Sequence, residues 1–199
     1  MSDPRTSASD LTARAKIRNA ALDLYSEHGE DRVSMRMIAA QAGVTVGLVQ
    51  HHFKTKDGLR DAVEQLVVDY HAQAIADAPS GDSPAESAAA RDRAVAQMLH
   101  AHPPVVNYMR RVLLDPHNSG GTLLARLTEL SRQGVVEMRG AGQASTDRSV
   151  ADQTLGLMIK HVGHLFLQPM VDAMWAQLTA DDEPPADKPV LSVTARTTD

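Results

Sequence analysis

Apolar residues along the 199-residue chain recur at three- and four-residue steps, the period of one helix face, and no well-placed run alternates as a strand would. Ile17, Ala20, Ala21, Leu24 and Tyr25 form the first such stripe, and Gly29 is placed to end its helix. Ser34 is a capping residue type ahead of Ile38, Ala39 and Ala42, which carry a second apolar face up to Gly43. Thr45 can cap a third, short helix ending near Phe53. A fourth starts after Thr55, with Leu59, Val63, Leu66, Val67 and Tyr70 on one side.

The stretch APSGDSP at 78–84 breaks the pattern. Beyond it, Val95, Met98 and Leu99 mark helix five, and residues 103–114 make helix six. Leu123, Leu127, Leu130, Gly134 and Met138 share one side of helix seven, and GAGQASTD at 140–147 reads as a loop. Helix eight is expected from about Arg148 to Gln168, with a shorter ninth after Pro169, since proline favours a helix boundary. The last stretch is acidic and proline-containing, a composition that favours disorder. The spacing therefore predicts an all-α chain of about nine helices, without internal repeats.

Composition narrows the chemistry. There is no cysteine, which excludes disulfides, thiolate zinc sites and cysteine nucleophiles. No run approaches the roughly 18 apolar residues of a membrane span, and the polar, acid-bearing start MSDPRTSASD is unlike a secretory signal, so a cytoplasmic protein with no membrane partner is expected. The net charge is −5, but residues 1–60 hold nine Lys/Arg against seven Asp/Glu while the remainder holds eleven against eighteen. A mildly basic head precedes an acidic body. Neither a nucleophile–base motif nor a phosphate-cradling glycine loop is present, so no catalytic residue, cofactor or metal is assigned and the chain is not read as an enzyme.

The segment GVTVGLVQHHFKTKDGL, residues 43–59, concentrates the polar chemistry. Glycine at 43 permits a positive φ, so two short helices can meet at a steep angle in a helix-turn-helix, whose second helix can enter a DNA major groove. Thr45, Val46 and Gly47 are small enough for close backbone approach. Val46 and Gly47 lack hydrogen-bonding side chains and could read only a thymine methyl or a close fit. Lys56 falls at the start of the fourth helix, where N–H groups attract anions, so phosphate is the natural guest. His51 and His52 lie about 100° apart on a helix and suit a shared metal poorly.

From RNAALDLYSEHGEDRVSMRMIAAQAGVTVGLVQHHFKTKDGL the chain resembles the N-terminal region of the tetracycline-repressor (TetR) family. The shared pattern is Gly29, Ser34, Ile38-Ala39, Ala42-Gly43-Val44, His52-Phe53 and Lys56, within residues 14–60. The resemblance implies DNA-backbone contact by His52 and His51, and a base or phosphate contact by Arg36. Ser34 can cap its helix and touch phosphate as well. Where the family usually carries tyrosine ahead of the HF element, this chain has Gln50, whose amide can reach a phosphate or read adenine.

In the body, Met98, His102, Tyr108, Met109, Leu127, Leu130, Met158 and His161 are candidates to line a pocket for a small apolar or aromatic effector, and the same stripe can equally be core. His100, His102, His117, His161 and His164 show no set of further ligands that would favour a metal. Helix eight is apolar on more than one face, and Gly156 and Gly163 allow close approach. Gly156, Ile159, Gly163 and Phe166 are the candidate interface with the same helix of a twin subunit, as in the resembled family. The expected organisation is a flexible arm at 1–10, a helix-turn-helix DNA-binding domain at 11–57, a helical ligand-binding and dimerisation domain at 58–180, and a disordered tail at 181–199. The resemblance implies a homodimeric, ligand-responsive repressor on double-stranded, palindromic DNA. The rival reading is a helical small-molecule- or metal-binding protein with no role on DNA.

Overall fold

The computed structural model describes residues 13–115, 121–180 and 187–195; the expected arm at 1–10, His117 and part of the expected tail lie outside them. Among the described residues there are eight α-helices, one 3-10 turn and no strand. In order they are α1 (Ala13–His28), the turn Glu30–Arg32, α2 (Met35–Ala42), α3 (Val46–Phe53), α4 (Lys56–Ala76), α5 (Pro84–Ala101), α6 (Pro103–Leu113), α7 (Gly121–Gly140) and α8 (Val150–Leu178). Their starts follow from capping chemistry. Ser34, Thr45, Thr55 and Ser149 each accept a hydrogen bond from the backbone N–H three residues on. Ser83 and Glu86 form a reciprocal capping box at α5.

The chain divides into two compact units, residues 1–130 and 131–199. The first unit extends past the short helices because α1 packs on α6 as well as on α2 and α4. Tyr25 of α1 and Tyr108 of α6 stack with ring centroids 6.4 Å apart. Arg111 donates from Nε to the Ser26 carbonyl at 2.9 Å and from Nη2 to that of Glu27 at 2.7 Å, satisfying the free end of α1 with a cation. Ile17, Leu22, Ile38, Leu59, Leu66, Met98 and Leu123 fill the core. Leu22, rather than the expected Leu24, is the buried leucine of α1.

In the second unit, Val135 of α7 and Met158 and Leu165 of α8 are buried. The expected ninth helix is the last third of α8, which continues through Pro169 to Leu178. A proline deletes one i→i−4 bond and leaves the turns on either side their own. Here Gln168 also donates to Asp172 at 2.9 Å, bridging the proline turn from outside. Residues 187–195, expected to be disordered, instead run extended along α8. The Gln168 amide accepts from Leu191 N at 2.7 Å and donates to the Pro189 carbonyl at 3.2 Å. Lys188 pairs with Asp172 at 2.9 Å. Composition signals disorder only where nothing offers the backbone partners, and α8 offers them.

Candidate nucleic-acid interface

Between α2 and α3 the chain must turn within Gly43, Val44 and Thr45. Gly43 sits at φ 66°, ψ 35°, the left-handed region, and its N–H returns to the Ala39 and Ala40 carbonyls. A Cβ there would meet no atom within 4 Å, so the requirement for glycine is torsional rather than one of space. Thr45 then accepts from Leu48 N at 3.3 Å and starts α3 at once. The Ser34 hydroxyl is likewise engaged, accepting from Met37 N at 3.3 Å.

The two faces of α3 differ in kind. Val49 and Phe53 are buried, and the Arg14 guanidinium of α1 stands 5.2 Å over the Phe53 ring. On the other side Thr45, Gly47, Gln50 and His51 are exposed, with Lys54 following. His52 is half-buried, its ring 5.4 Å from that of His51 and 6.4 Å from that of Phe53. Val46 is half-buried, and Arg36 is exposed on α2. From Ser34 through Lys56 there is not one aspartate or glutamate. That absence was legible in the sequence and is a sharper signal than the net charge of the first 60 residues. It also adds Lys54, exposed at the end of α3, to the cationic groups on this face.

Lys56 has a role that spacing could not show. Its ammonium donates to the Glu30 carbonyl at 2.6 Å, tying the 3-10 turn to the first turn of α4. Arg60 reinforces the tie, lying 3.6 Å from the Glu30 carboxylate and 3.2 Å from Asp57. Burial raises the Glu30 carboxyl above its ordinary pKa, and the charges of Arg60 and Lys56 oppose that rise. An ammonium has three donors, so Lys56 can hold the turn and still offer hydrogen bonds outward. The sharp bend into α4 also requires Gly58, where a Cβ would run into the Phe53 carbonyl oxygen.

The other predicted residues fall in two places. Met98, Tyr108, Met109 and Leu127 belong to the core of the first unit, His102 is half-buried with its ring 4.5 Å from that of Tyr70, and Leu130 is half-buried. In the second unit Met158 is buried, its sulfur accepting from Ser131 Oγ at 3.2 Å, and His161 is half-buried. That unit holds a pocket of about 300 Å³ between α7, α8 and residues 193–195, and none of the eight predicted effector residues lines it. Gly156 does line it. Ile159 is exposed and Phe166 half-buried, while Gly163 faces the chain's own Val193, whose Cβ lies 2.8 Å from where a glycine Cβ would stand. Among the described residues no three His, Asp or Glu side chains gather as a metal site, and no helix is long and apolar enough to cross a membrane.

Two short helices joined through a left-handed glycine, the second presenting a polar, acid-free face, define a helix-turn-helix protein. Residues 17–63 match the family model described as bacterial regulatory proteins, tetR family. The chain is 35% identical over 122 residues to the HTH-type transcriptional regulatory protein RaaS of Mycobacterium tuberculosis, covering 60% of this chain and 52% of that one. Over 49 residues it is 51% identical to an HTH-type transcriptional repressor of the same organism, covering 25% of this chain and 26% of the other. The chain thus spans about half the length of the first relative and about a quarter of the second. A transcriptional regulator from Rhodococcus sp. Rha1 shares the fold with a TM-score of 0.62 at 23% identity, over 82% of this chain and 87% of that one. A tetR family regulator from Shewanella sp. PV-4 does so with a TM-score of 0.56 at 23% identity, over 85% and 90%. These relatives carry the names of transcriptional regulators, not of enzymes.

Proposed function

We propose that this chain is a cytoplasmic transcriptional regulator that binds double-stranded DNA as a homodimer and acts as a repressor released by a small apolar or aromatic effector. The observation that carries the DNA reading is the exposed face of Gly47, Gln50 and His51 within a stretch free of carboxylates from Ser34 to Lys56. Gly47 admits close backbone approach, Gln50 and His51 offer hydrogen bonds to bases or phosphates, and Arg36, Lys54 and Lys56 supply the charge that releases counterions. Two such heads reach successive major grooves about 34–36 Å apart, which requires a roughly palindromic operator.

The dimer reading is supported by α8, where Leu155, Ile159, Leu167, Met170, Met174 and Leu178 are exposed at steps of four, eight, three, four and four residues. The repressor reading is supported by the name of the relative that is 51% identical over 49 residues. Effector coupling through α4 is supported by its packing against α1, α3 and α5. By linkage, operator DNA should weaken effector binding by the same factor as effector weakens operator binding. The primary test is footprinting and fluorescence anisotropy with duplexes from the DNA flanking the gene. A protected palindrome with steeply salt-dependent affinity is expected. Equal, weak binding to all duplexes at every salt concentration refutes the reading.

A further inference from the structure

The exposed apolar stripe of α8 skips one position. Ile159 and Leu167 are both exposed, and Gly163 falls midway between them, four residues from each and so on the same helix face. The chain's own Val193 lies against that glycine. A Cβ built at Gly163 would stand 2.8 Å from the Val193 Cβ and 2.8 Å from its Cγ2. A glycine on an apolar face is where a second helix can come closest, because no side chain holds the backbones apart. A second α8 laid along the stripe therefore meets Val193 at the point of closest approach. Gly163 can admit one of them, not both.

The remaining contacts of residues 187–195 are polar. Gln168 donates to the Pro189 carbonyl at 3.2 Å and accepts from Leu191 N at 2.7 Å, which sets the register. Lys188 pairs with Asp172 at 2.9 Å, and His164 Nδ1 lies 3.4 Å from the Leu191 carbonyl. The Gln168–Pro189 bond and the Lys188–Asp172 pair are open to solvent, where water replaces such contacts at small cost. Val190 adds little apolar burial, being 75% exposed. The seat is specific in register and shallow in depth.

We propose that residues 187–195 are a tethered competitor of the second copy: while seated they close Gly163 to a twin α8, and the dimer forms from chains that have released them. This rests on the dimer reading given above. An isologous interface brings Gly163 from both copies to the same contact, so the released fraction of chains enters twice. If one chain in about ten has released its segment, the dimer is weakened about 100-fold. Whatever holds or displaces the segment thus controls assembly without touching the head.

Sedimentation velocity over a range of protein concentrations tests it. The full chain is compared with a chain ending at residue 186 and with full-length Val193→Asp, which sets a charge against the apolar face. Both variants should keep native helicity by circular dichroism and dimerise at least tenfold more tightly. Val193→Asp retains every other contact of the segment and answers the question if the shortened chain does not fold. The chain has no cysteine, so Val193→Cys carries a single thiol that reports on the seat. Its labelling rate should rise with protein concentration over the range in which dimer mass appears. Dimerisation of equal or lower strength in a folded variant, or labelling that slows as the dimer forms, would overturn the competition and leave the dimer reading standing. Failure of every chain to self-associate at any concentration would remove the dimer reading and this proposal together.

Discussion

In residues 1–130, Ile17, Leu22, Leu59, Leu66 and Leu123 are all 0% exposed, whereas in residues 131–199 α8 leaves Leu155, Ile159, Leu167, Met170, Met174 and Leu178 between 37 and 76% exposed. Among its described residues the second unit buries three large apolar side chains, Val135, Met158 and Leu165, and exposes eight, counting Val136 and Val190. A unit that hides so little of its apolar surface has little core of its own and is stabilised by what covers it. The first unit reverses this. Among its described residues most large apolar side chains are inside, with Met37, Leu114 and Leu124 exposed, and its candidate DNA-binding face on α3 is polar and followed by Lys54 and Lys56. The contrast separates two kinds of partner: a polyanion for the first unit and an apolar surface for the second, for which a second copy of the chain is the proposed cover.

The comparison breaks most decisively at α8. Ile159→Glu combined with Met170→Glu places charge on the exposed stripe, away from Gly163, which Val193 already occupies. The variant should be monomeric by light scattering with native helicity. A lone head loses the second binding event, so operator affinity should fall by about 10²–10⁴-fold. A retained dimer mass would move the interface off this stripe.

The next effect tests the core of the first unit. Burial pushes the Tyr25 and Tyr108 phenols well above their ordinary pKa, and nearby Glu30 raises both, with Glu64 acting on Tyr108 as well. Among the described residues neither hydroxyl has a hydrogen-bond partner. Above about pH 10 the unfolded chain releases these protons while the folded chain holds them, so stability present below that pH is lost as pH rises. For each tyrosine the slope should steepen from about 0.7 kcal/mol per pH unit at pH 10 toward about 1.4 above pH 11, measured by urea unfolding between pH 9 and 12. Tyr25→Phe/Tyr108→Phe should flatten the slope by that amount. Because it removes two unpartnered hydroxyls, it should not lower stability at neutral pH. An unchanged slope would assign the alkaline transition to other groups.

Legibility in the sequence divides along the same line. Periodicity and caps carry the first unit well, because Ser34, Thr45 and Thr55 act through bonds to N–H groups three residues away, and Gly43 through its own torsion. Such local chemistry is readable one turn at a time. The Lys56–Glu30 tie spans 26 residues and the Arg111–Ser26 bond 85, so no local pattern announces them. In the second unit Pro169 reads as a helix end when considered alone, and the apolar stripe that continues past it is the better guide. The extended segment at 187–195 was missed for a related reason: its backbone partners are side chains on α8, 21 and 23 residues away.

Gly43 gives a smaller effect confined to the first unit. At φ 66° a β-branched residue is strained, so Gly43→Val should destabilise this unit by about 1–2 kcal/mol. Chemical denaturation followed by tyrosine fluorescence measures it. Unaltered unfolding and DNA binding would mean the turn relaxes into another conformation at no cost.

The smallest effect separates two sorts of contact on the head. Arg36 is exposed on α2 and Gln50 on α3, and the proposed interface gives the first a phosphate to meet and the second a base edge. If Arg36 neutralises one phosphate, Arg36→Gln should lower the slope of log affinity against log salt by about 0.9 and weaken every duplex alike. Gln50→Ala should leave that slope alone and relax the preference at one position of each half-site. Anisotropy titrations over a series of salt concentrations, with the operator and with single-position variants, read both quantities from one set of curves. An unaltered slope and affinity in Arg36→Gln would remove α2 from the phosphate contacts and leave the reading of DNA to α3 and the two lysines that follow it.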